Sequence, residues 1–219
     1  MTLPSVFVWT KMGVESGETL ESIVRRKDRE RELGGGLFLW GIGNSIAPAV
    51  RQLLGGARTD RIPVIFSAML AKAKASDVSP TAVVQWTRAI GIDGMPWRLP
   101  RSSQITSRAG GTRAKTTHYA LVCHRASALV LDADGVRFAG TDLRNFGSGN
   151  PVGHSQVTSL VRHVGEGAEG PYQVSLRAEL VYPFVVSLFA PMPLEKIASG
   201  GPSLKCEEHL QEQLEFEGT

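Results

Sequence analysis

The sequence predicts an α+β fold built around a curved sheet or a barrel. Segments rich in β-branched and aromatic residues, most of them bounded by Gly, Pro or Ser, outnumber the helical patterns along the chain. No internal repeat is visible along the chain. With 219 residues and 42% hydrophobic content, the chain has enough apolar material for a sizeable core.

Strand and helix signals alternate at the start of the chain. Ser16 or Thr19 can cap a first helix, which the glycines at 34–36 end. The mixed-charge run at 25–32 predicts a solvated surface of that helix with i,i+4 ion pairs, not a binding tail. The expected elements are strands at 5–10, 37–40 and 62–67, a helix that begins near 19 and a second helix that begins near 46.

The remainder of the chain is dominated by strand signals. Residues 79–88 are compatible with a helix or a strand, and 91–111, rich in Gly, Pro, Ser and Arg, predict a long loop. The tail at 206–216 predicts a short acidic helix at most. Strands are expected at 116–125, 128–132, 173–182 and 184–189, with a turn at 132–135.

Charge is distributed unevenly along the chain. Residues 51–125 carry 12 basic side chains against three acidic ones, whereas residues 126–219 carry six basic and 12 acidic side chains. A basic middle third suits a polyanion such as nucleic acid, and the acidic remainder argues against a general coating of DNA. A solvated basic face has the same composition and stays an alternative.

Cysteine usage and the N-terminal sequence bear on the compartment. Cys123 and Cys206 lie in different kinds of segment, which indicates free thiols in a reducing cytosol. No run of 18 apolar residues occurs, and the N-terminus lacks the basic and apolar regions of a signal peptide. We therefore expect a cytoplasmic protein without a membrane segment.

The turn at Gly41–Ser45 has two interpretations. Between a strand and a helix, it supplies two of the three glycines of G-x-G-x-x-G, whose amides can bind a pyrophosphate. Ile46 occupies the third glycine position, and no acid ends the next strand to bind a ribose hydroxyl. A dinucleotide site is therefore the less favoured interpretation.

The other interpretation is one wall of a base-binding pocket. Trp40 offers a π-face at a strand end, and Asn44 offers both a donor and an acceptor for a base edge. Trp9, Trp86 and Trp97 can add further walls. A position in the core is the alternative for each of these tryptophans.

Three segments resemble the EVE domain, a relative of the YTH, ASCH and PUA-like modules. They are the opening strand Val6-Phe-Val-Trp-Thr-Lys11, the turn Trp40-Gly-Ile-Gly-Asn44-Ser-Ile-Ala47-Pro-Ala-Val-Arg51 and the strand Val64-Ile-Phe-Ser67. The turn departs from the family pattern because Trp40 and Asn44 are one residue too close and Gly43 replaces an arginine. The family's His-Ser pair is reduced here to Ser67.

The resemblance implies a PUA-like curved β-barrel flanked by short helices, which binds nucleic acid. This domain would span residues 1–125, and the acidic, strand-rich extension at 126–219 would pack on it. The resemblance also implies a pocket for a modified or flipped-out base of DNA or RNA, without a cofactor. The residues implied to line that pocket are Trp9, Trp40, Asn44 and Ser67.

The segment from Trp97 to Lys115 is the best candidate for phosphate contacts. It interleaves cations with glycines and small hydroxyl residues, which let a backbone approach a nucleic-acid strand. A solvated loop is the alternative. The candidate phosphate-binding residues are Arg51, Arg98, Arg101, Arg108, Arg113 and Lys115.

We predict no catalytic residue and no metal site. His118 is expected on one face of its strand with His124, whereas Cys123 is expected on the other, so a Cys–His pair or a zinc site is disfavoured. The enzymatic rival would bind phosphate at Gly41–Ser45 and use His118 or Asp132 for acid–base chemistry. The other rival is a protein-interaction module whose acidic C-terminal part binds a partner.

Overall fold

The computed structural model describes residues 2–12, 19–42, 46–56, 60–69, 82–100, 102–107, 117–131, 135–165 and 170–193. Its strands join in one sheet of 11 strands, and two helices pack on that sheet. The strands are β1 Val6–Lys11, β2 Leu37–Ile42, β3 Arg61–Met69, β4 Ala82–Gly91, β5 Pro96–Trp97, β6 Gln104–Ser107, β7 Thr117–His124, β8 Arg137–Phe138, β9 Leu143–Asn145, β10 Thr158–His163 and β11 Tyr172–Pro193. The helices are α1 Leu20–Leu33 and α2 Ala47–Gly56.

The long strand β11 organises the sheet. The main order is β2-β7-β11-β3-β1-β10-β9, in which β1 and β3 run parallel. The first half of β11 pairs with β3 up to Val181, and its second half pairs with β4 from Val186 onward. Strands before and after residue 125 therefore belong to the same sheet, since β10 pairs with β1 and β11 lies between β7 and β3.

The fold is mixed α/β with a strand-rich sheet. β5 and β6 both pair with β4, but no ladder joins β6 to β2 in the described part of the chain, so the sheet is not closed there. The undecided segment 79–88 is a strand where the structure describes it, within β4. The long loop expected at 91–111 contains β5 and β6, two short strands held by pairing with β4.

One expected strand is absent from the structure. Residues 128–131 form no ladder, although Leu129 is buried. The Leu129 N–H donates to the Asp28 carboxylate of α1 at 2.7 Å, so a side chain takes the place of a strand partner. The expectation of a strand at 128–132 is therefore wrong for these residues.

Side chains alternate between the two faces of the sheet and build three clusters. On one face, Phe38, Phe66 and Leu121 pack under α1 and α2, and we call this the helix-side cluster. The opposite face carries a Leu39 cluster at the β2–β7–β4 end and a Trp9 cluster at the β1–β3 end.

Helix α1 is only partly solvated. Thr19 caps it by accepting a hydrogen bond from the Ser22 N–H at 3.1 Å. Its charged run forms i,i+3 pairs, and one of them, between Lys27 and Glu30 at 2.7 Å, is buried with each residue only 3% exposed. The prediction of a wholly solvated surface is wrong at this pair, because the helix lies against β2 and the start of β6.

Candidate functional site

The helix-side face of the sheet continues beyond the helices toward β4 and β5. The strand registers align Ile42, Tyr119, Ser187, Ile90 and Pro96 in one row across β2, β7, β11, β4 and β5. Directly opposed strand residues point to the same face, so this row forms a continuous strip. Its exposure increases along the strip, from buried Ile42 to Ile90, which is 37% exposed.

A second row lies two residues further along the strands, on the same face. Phe189 of β11 is registered with Arg88 of β4, and we count with this row Arg98, which directly follows Trp97, the β5 partner of Ala89. Phe189 is half-buried, and both arginines are exposed. We call the exposed and half-buried part of the two rows the outer face; its members are Arg88, Ile90, Arg98, Tyr119, Ser187 and Phe189.

The side chains of the two outer-face arginines have no acidic partner within the part of the chain that the structure describes. Neither the Arg88 nor the Arg98 guanidinium makes a hydrogen bond or an ion pair there. Exposed guanidinium groups of this kind are suited to bind an anion such as a phosphate.

Arg51 lies on α2 at the edge of the same region. Its guanidinium donates to the Ile92 carbonyl from Nε at 3.1 Å and from Nη2 at 2.8 Å, and the residue is exposed. This ties α2 to the tip of the β4–β5 hairpin. Of the predicted phosphate-binding residues, Arg51 is therefore bonded to this hairpin, and Arg98 follows directly after its second strand.

An exposed aromatic residue of β11 contacts the hairpin tip. Tyr182 is 60% exposed, and its hydroxyl donates to Asp93 Oδ2 at 2.7 Å. This hydrogen bond, together with the Met95 N–H on Oδ1, lowers the pKa of Asp93, and the same contact raises the pKa of Tyr182. The carboxylate nearest in sequence to the hairpin arginines therefore already has two donors.

Trp40 and Trp9 lie on opposite faces of the sheet. Trp40 is half-buried on the helix side, with its ring edge-on to Phe66 at a centroid distance of 4.7 Å. Trp9 lies four strands away in the Trp9 cluster and is 1% exposed. The structure therefore does not bring the two tryptophans together as walls of one pocket.

The structure does bring Trp9 and Ser67 together. The indole Nε1 of Trp9 donates to Ser67 Oγ at 2.8 Å, and both side chains are buried. The edges of Phe138 and Tyr172 meet the Trp9 ring, and the Lys11 ammonium lies 5.1 Å from its centroid. The Trp9 ring is therefore covered on several sides by other side chains of the same chain.

The other two tryptophans suggested as pocket walls belong to the Leu39 cluster. Trp86 is buried there, stacked on the His118 ring at 5.7 Å and 16°, and Trp97 packs half-buried against the cluster. His118 and His124 share one face of β7 and Cys123 lies on the other, as predicted. Burial raises the pKa of the Cys123 thiol, which makes it a poor nucleophile at neutral pH.

Several sequence-predicted residues lie outside the described residues. Asn44 and the rest of the 43–45 turn belong to this group, as does the proposed acid–base residue Asp132. The acidic tail at 206–216 also lies outside them. The remaining predicted phosphate contacts in this group are Arg101, Arg108, Arg113 and Lys115.

The described part of the basic segment is anchored to α1. Lys27 Nζ donates to the Gln104 carbonyl at 2.8 Å, and Ser102 Oγ donates to the Glu30 carbonyl at 3.1 Å. The Glu30 carboxylate in turn accepts the Leu39 N–H of β2 at 2.8 Å. Residues 102–105 are therefore a fixed part of the fold rather than a solvated loop.

Packing around Gly41 explains why this position has no side chain. A Cβ added at this position would lie 2.9 Å from His118 Nε2 and 3.0 Å from Ile105 Cγ2. The glycine therefore leaves room for the Trp86–His118 stack and for β6. This observation weakens the argument that the glycine is there to cradle a phosphate.

Sequence analysis missed Arg88, Tyr119 and Phe189 as site residues. Arg88 lies in the segment whose secondary structure was undecided, and Phe189 ends an apolar run that reads as a buried strand. Once 82–91 is taken as a strand, the alternation of Arg88, Ala89 and Ile90 shows the exposed face. The pairing of β4 with β11 was not readable from the sequence.

Comparison with protein-family models, curated proteins and solved structures gives no match to this chain. The resemblance to EVE domains therefore stays a prediction that depends on three short segments. Within the described ranges, no three or more His, Cys, Asp or Glu side chains are grouped so that they could hold a metal ion. Neither of the described helices has the length and apolar character needed to cross a membrane.

Proposed function

We propose that this protein binds nucleic acid, with the arginines around the β4–β5 hairpin contacting phosphates. The observation that carries the proposal is that Arg88 in β4 and Arg98, the residue after the end of β5, are two exposed guanidinium groups with no carboxylate partner among the described residues. Arg51 adds a third exposed cation, which contacts the Ile92 carbonyl at the tip of the same hairpin. Arginine forks fit phosphate oxygens, and phosphate contacts supply most of the affinity in such complexes.

Base recognition is assigned in this proposal to the Trp40 end of β2. Trp40 lies two residues before Ile42 and shares its face of the sheet, and Asn44 follows in sequence. Base contact by Trp9 and Ser67 would require the Trp9 cluster to open, so we give these two residues a supporting role. The ligand base would be modified or flipped out, as the EVE resemblance implies.

The PUA-like assignment belongs to the same proposal. β6 approaches β2 closely at Ile105 and Gly41, which is compatible with a sheet that curls toward a barrel. The cytoplasmic setting is inferred from free thiols and stays part of the proposal.

The test is fluorescence anisotropy with short DNA and RNA probes at two salt concentrations. Wild type is compared with Arg88→Ala and Arg98→Ala, and the control is Arg137→Ala, an exposed arginine of β8. Each lost phosphate contact is expected to reduce the slope of log affinity against log salt by about 0.7 to 0.9. Absence of salt-sensitive binding to every probe would overturn the proposal.

A further inference from the structure

We infer that the outer face binds single-stranded nucleic acid by stacking unpaired bases on Phe189 and Tyr119. This inference rests on the proposed function and uses its arginines. It adds a stacking surface for further bases to the Trp40 end of β2, where that proposal places recognition of one base. Phosphates of the strand would lie along Arg88 and Arg98, beside the two rings. The geometry of the two rows carries the argument.

Phe189 is the first part of that argument. It is half-buried and belongs to none of the three hydrophobic clusters, although the residues before it on β11, Val186 and Leu188, are buried in the Leu39 cluster. Strand alternation turns Phe189 to the opposite face, where its register partner on β4 is Arg88. An aromatic ring therefore lies on a paired strand, registered with an arginine whose guanidinium has no partner among the described residues.

Tyr119 supplies a second ring at a suitable distance. It is registered with Ser187, two residues before Phe189, so the two aromatic residues are diagonal neighbours on adjacent strands. Such neighbours lie about 7–8 Å apart, which lets two consecutive unstacked bases each cover one ring. Tyr119 packs partly against the helix-side cluster, which fixes its orientation before binding.

The surface suits unpaired bases better than a duplex. A duplex hides its base faces and is read by elements that enter a groove, whereas a sheet face with aromatic residues offers stacking platforms. Arg88 and Arg98 supply the complementary charge, and their planar guanidinium groups can themselves stack on bases. Stacking tolerates any base because every base has a π-face.

The experiment separates stacking from phosphate contacts by using three labelled 12-mers. One is single-stranded oligo-dT, one is the same length of abasic deoxyribose phosphate, and one is the duplex of oligo-dT with oligo-dA. Wild type should bind oligo-dT about 5- to 150-fold more tightly than the abasic strand for each stacked base, and more tightly than the duplex. Phe189→Leu should reduce the preference for oligo-dT over the abasic strand, whereas Arg98→Ala should weaken binding to both strands alike.

The control variant is Val164→Ala, which changes an exposed apolar residue just past the end of β10. It should leave all three affinities unchanged, and circular dichroism should show that every variant is folded. Equal affinity of wild type for oligo-dT and the abasic strand, or preference for the duplex, would overturn the stacking inference while leaving nucleic-acid binding in place. Absence of binding to all three probes would overturn the inference, and absence of binding to the RNA probes of the preceding test as well would overturn the proposed function itself.

Discussion

The indole of Trp9 and the hydroxyl of Ser67, 58 residues apart in sequence, are joined by a buried hydrogen bond of 2.8 Å. The two residues belong to the first and the last of the segments that resemble the EVE domain, which form the parallel strands β1 and β3. Trp9 is registered with Ile65, so Ser67 is its diagonal neighbour two residues further along β3. The bond satisfies the donor of a tryptophan that is fully enclosed by its cluster. The pair therefore has a structural role that does not depend on any ligand.

This relationship predicts a stability effect without a binding effect. Ser67→Ala leaves the Trp9 donor buried and unpaired, which should lower the free energy of unfolding by about 1–3 kcal/mol. Trp9→Phe removes the donor, so adding Ser67→Ala to it should cost less than Ser67→Ala costs alone. Urea unfolding of the two single variants and the double variant measures this coupling.

Anisotropy with nucleic-acid probes supplies the control for the Trp9 prediction. At a temperature where all variants are folded, their affinities should match wild type. A loss of binding in Trp9→Phe without a loss of stability would instead place Trp9 in the base pocket, as the sequence predicts.

The core strands were predictable because their residues are locally distinctive. β1, β2, β3 and β7 have the β-branched and aromatic composition that the sequence analysis used, and Thr19 caps α1 as expected. β5 and β6 were missed because their Gly-, Pro- and Ser-rich surroundings predict a loop. They exist through pairing with β4, which is a tertiary effect.

The candidate site was less predictable than the fold. The sequence analysis places Trp9 and Trp40 in one pocket. In the structure their strands are four positions apart in the sheet, and their side chains lie on opposite faces. The order of strands depends on contacts between residues far apart in sequence, such as the pairing of β11 with both β3 and β7. Composition located Arg51 and Arg98 but not Arg88, and only the β4–β11 register showed that Arg88 lies opposite Phe189.

The buried ion pair between Lys27 and Glu30 predicts that removing one of the two charges lowers the free energy of unfolding more than removing both. Glu30→Gln leaves the Lys27 ammonium buried without its carboxylate, and such unpaired charges cost about 3–5 kcal/mol of stability. Lys27→Met with Glu30→Gln removes both charges and should recover most of that loss. Chemical denaturation of the two variants tests this, and equal losses in both would contradict the ion-pair explanation.

The same pair predicts how stability depends on pH. Burial raises the pKa of Glu30, while Lys27 opposes that rise. Between the ordinary glutamate pKa and the raised pKa of folded Glu30, the folded state holds a proton that the unfolded state has released. The free energy of unfolding therefore falls as pH increases through this range. Lys27→Met should steepen that fall, because the Lys27 charge no longer opposes the rise in the Glu30 pKa. A pH profile of stability parallel to that of wild type would contradict this prediction.

Two neighbouring serines provide a matched pair of substitutions. Ser102 Oγ donates to the Glu30 carbonyl, whereas Ser103 Oγ is buried with no hydrogen-bond partner in the described structure. Ser102→Ala should lower the free energy of unfolding by about 0.5–1.5 kcal/mol, and Ser103→Ala should leave it unchanged or raise it. Thermal unfolding of both variants is the measurement, and a larger loss in Ser103→Ala would show that its hydroxyl is satisfied after all.

Gly41 separates the two interpretations of the turn that follows β2. If the glycine makes room for His118, Gly41→Ala should overpack this site and lower the free energy of unfolding by about 1–3 kcal/mol. His118→Ala removes the ring that a Cβ at position 41 would meet, so the added cost of Gly41→Ala should be smaller in that background. If the glycine instead serves a nucleotide phosphate, Gly41→Ala should abolish nucleotide binding in isothermal titration calorimetry and leave stability unchanged. We expect the first outcome, since the close approach of His118 and Ile105 already accounts for a residue without a side chain at this position.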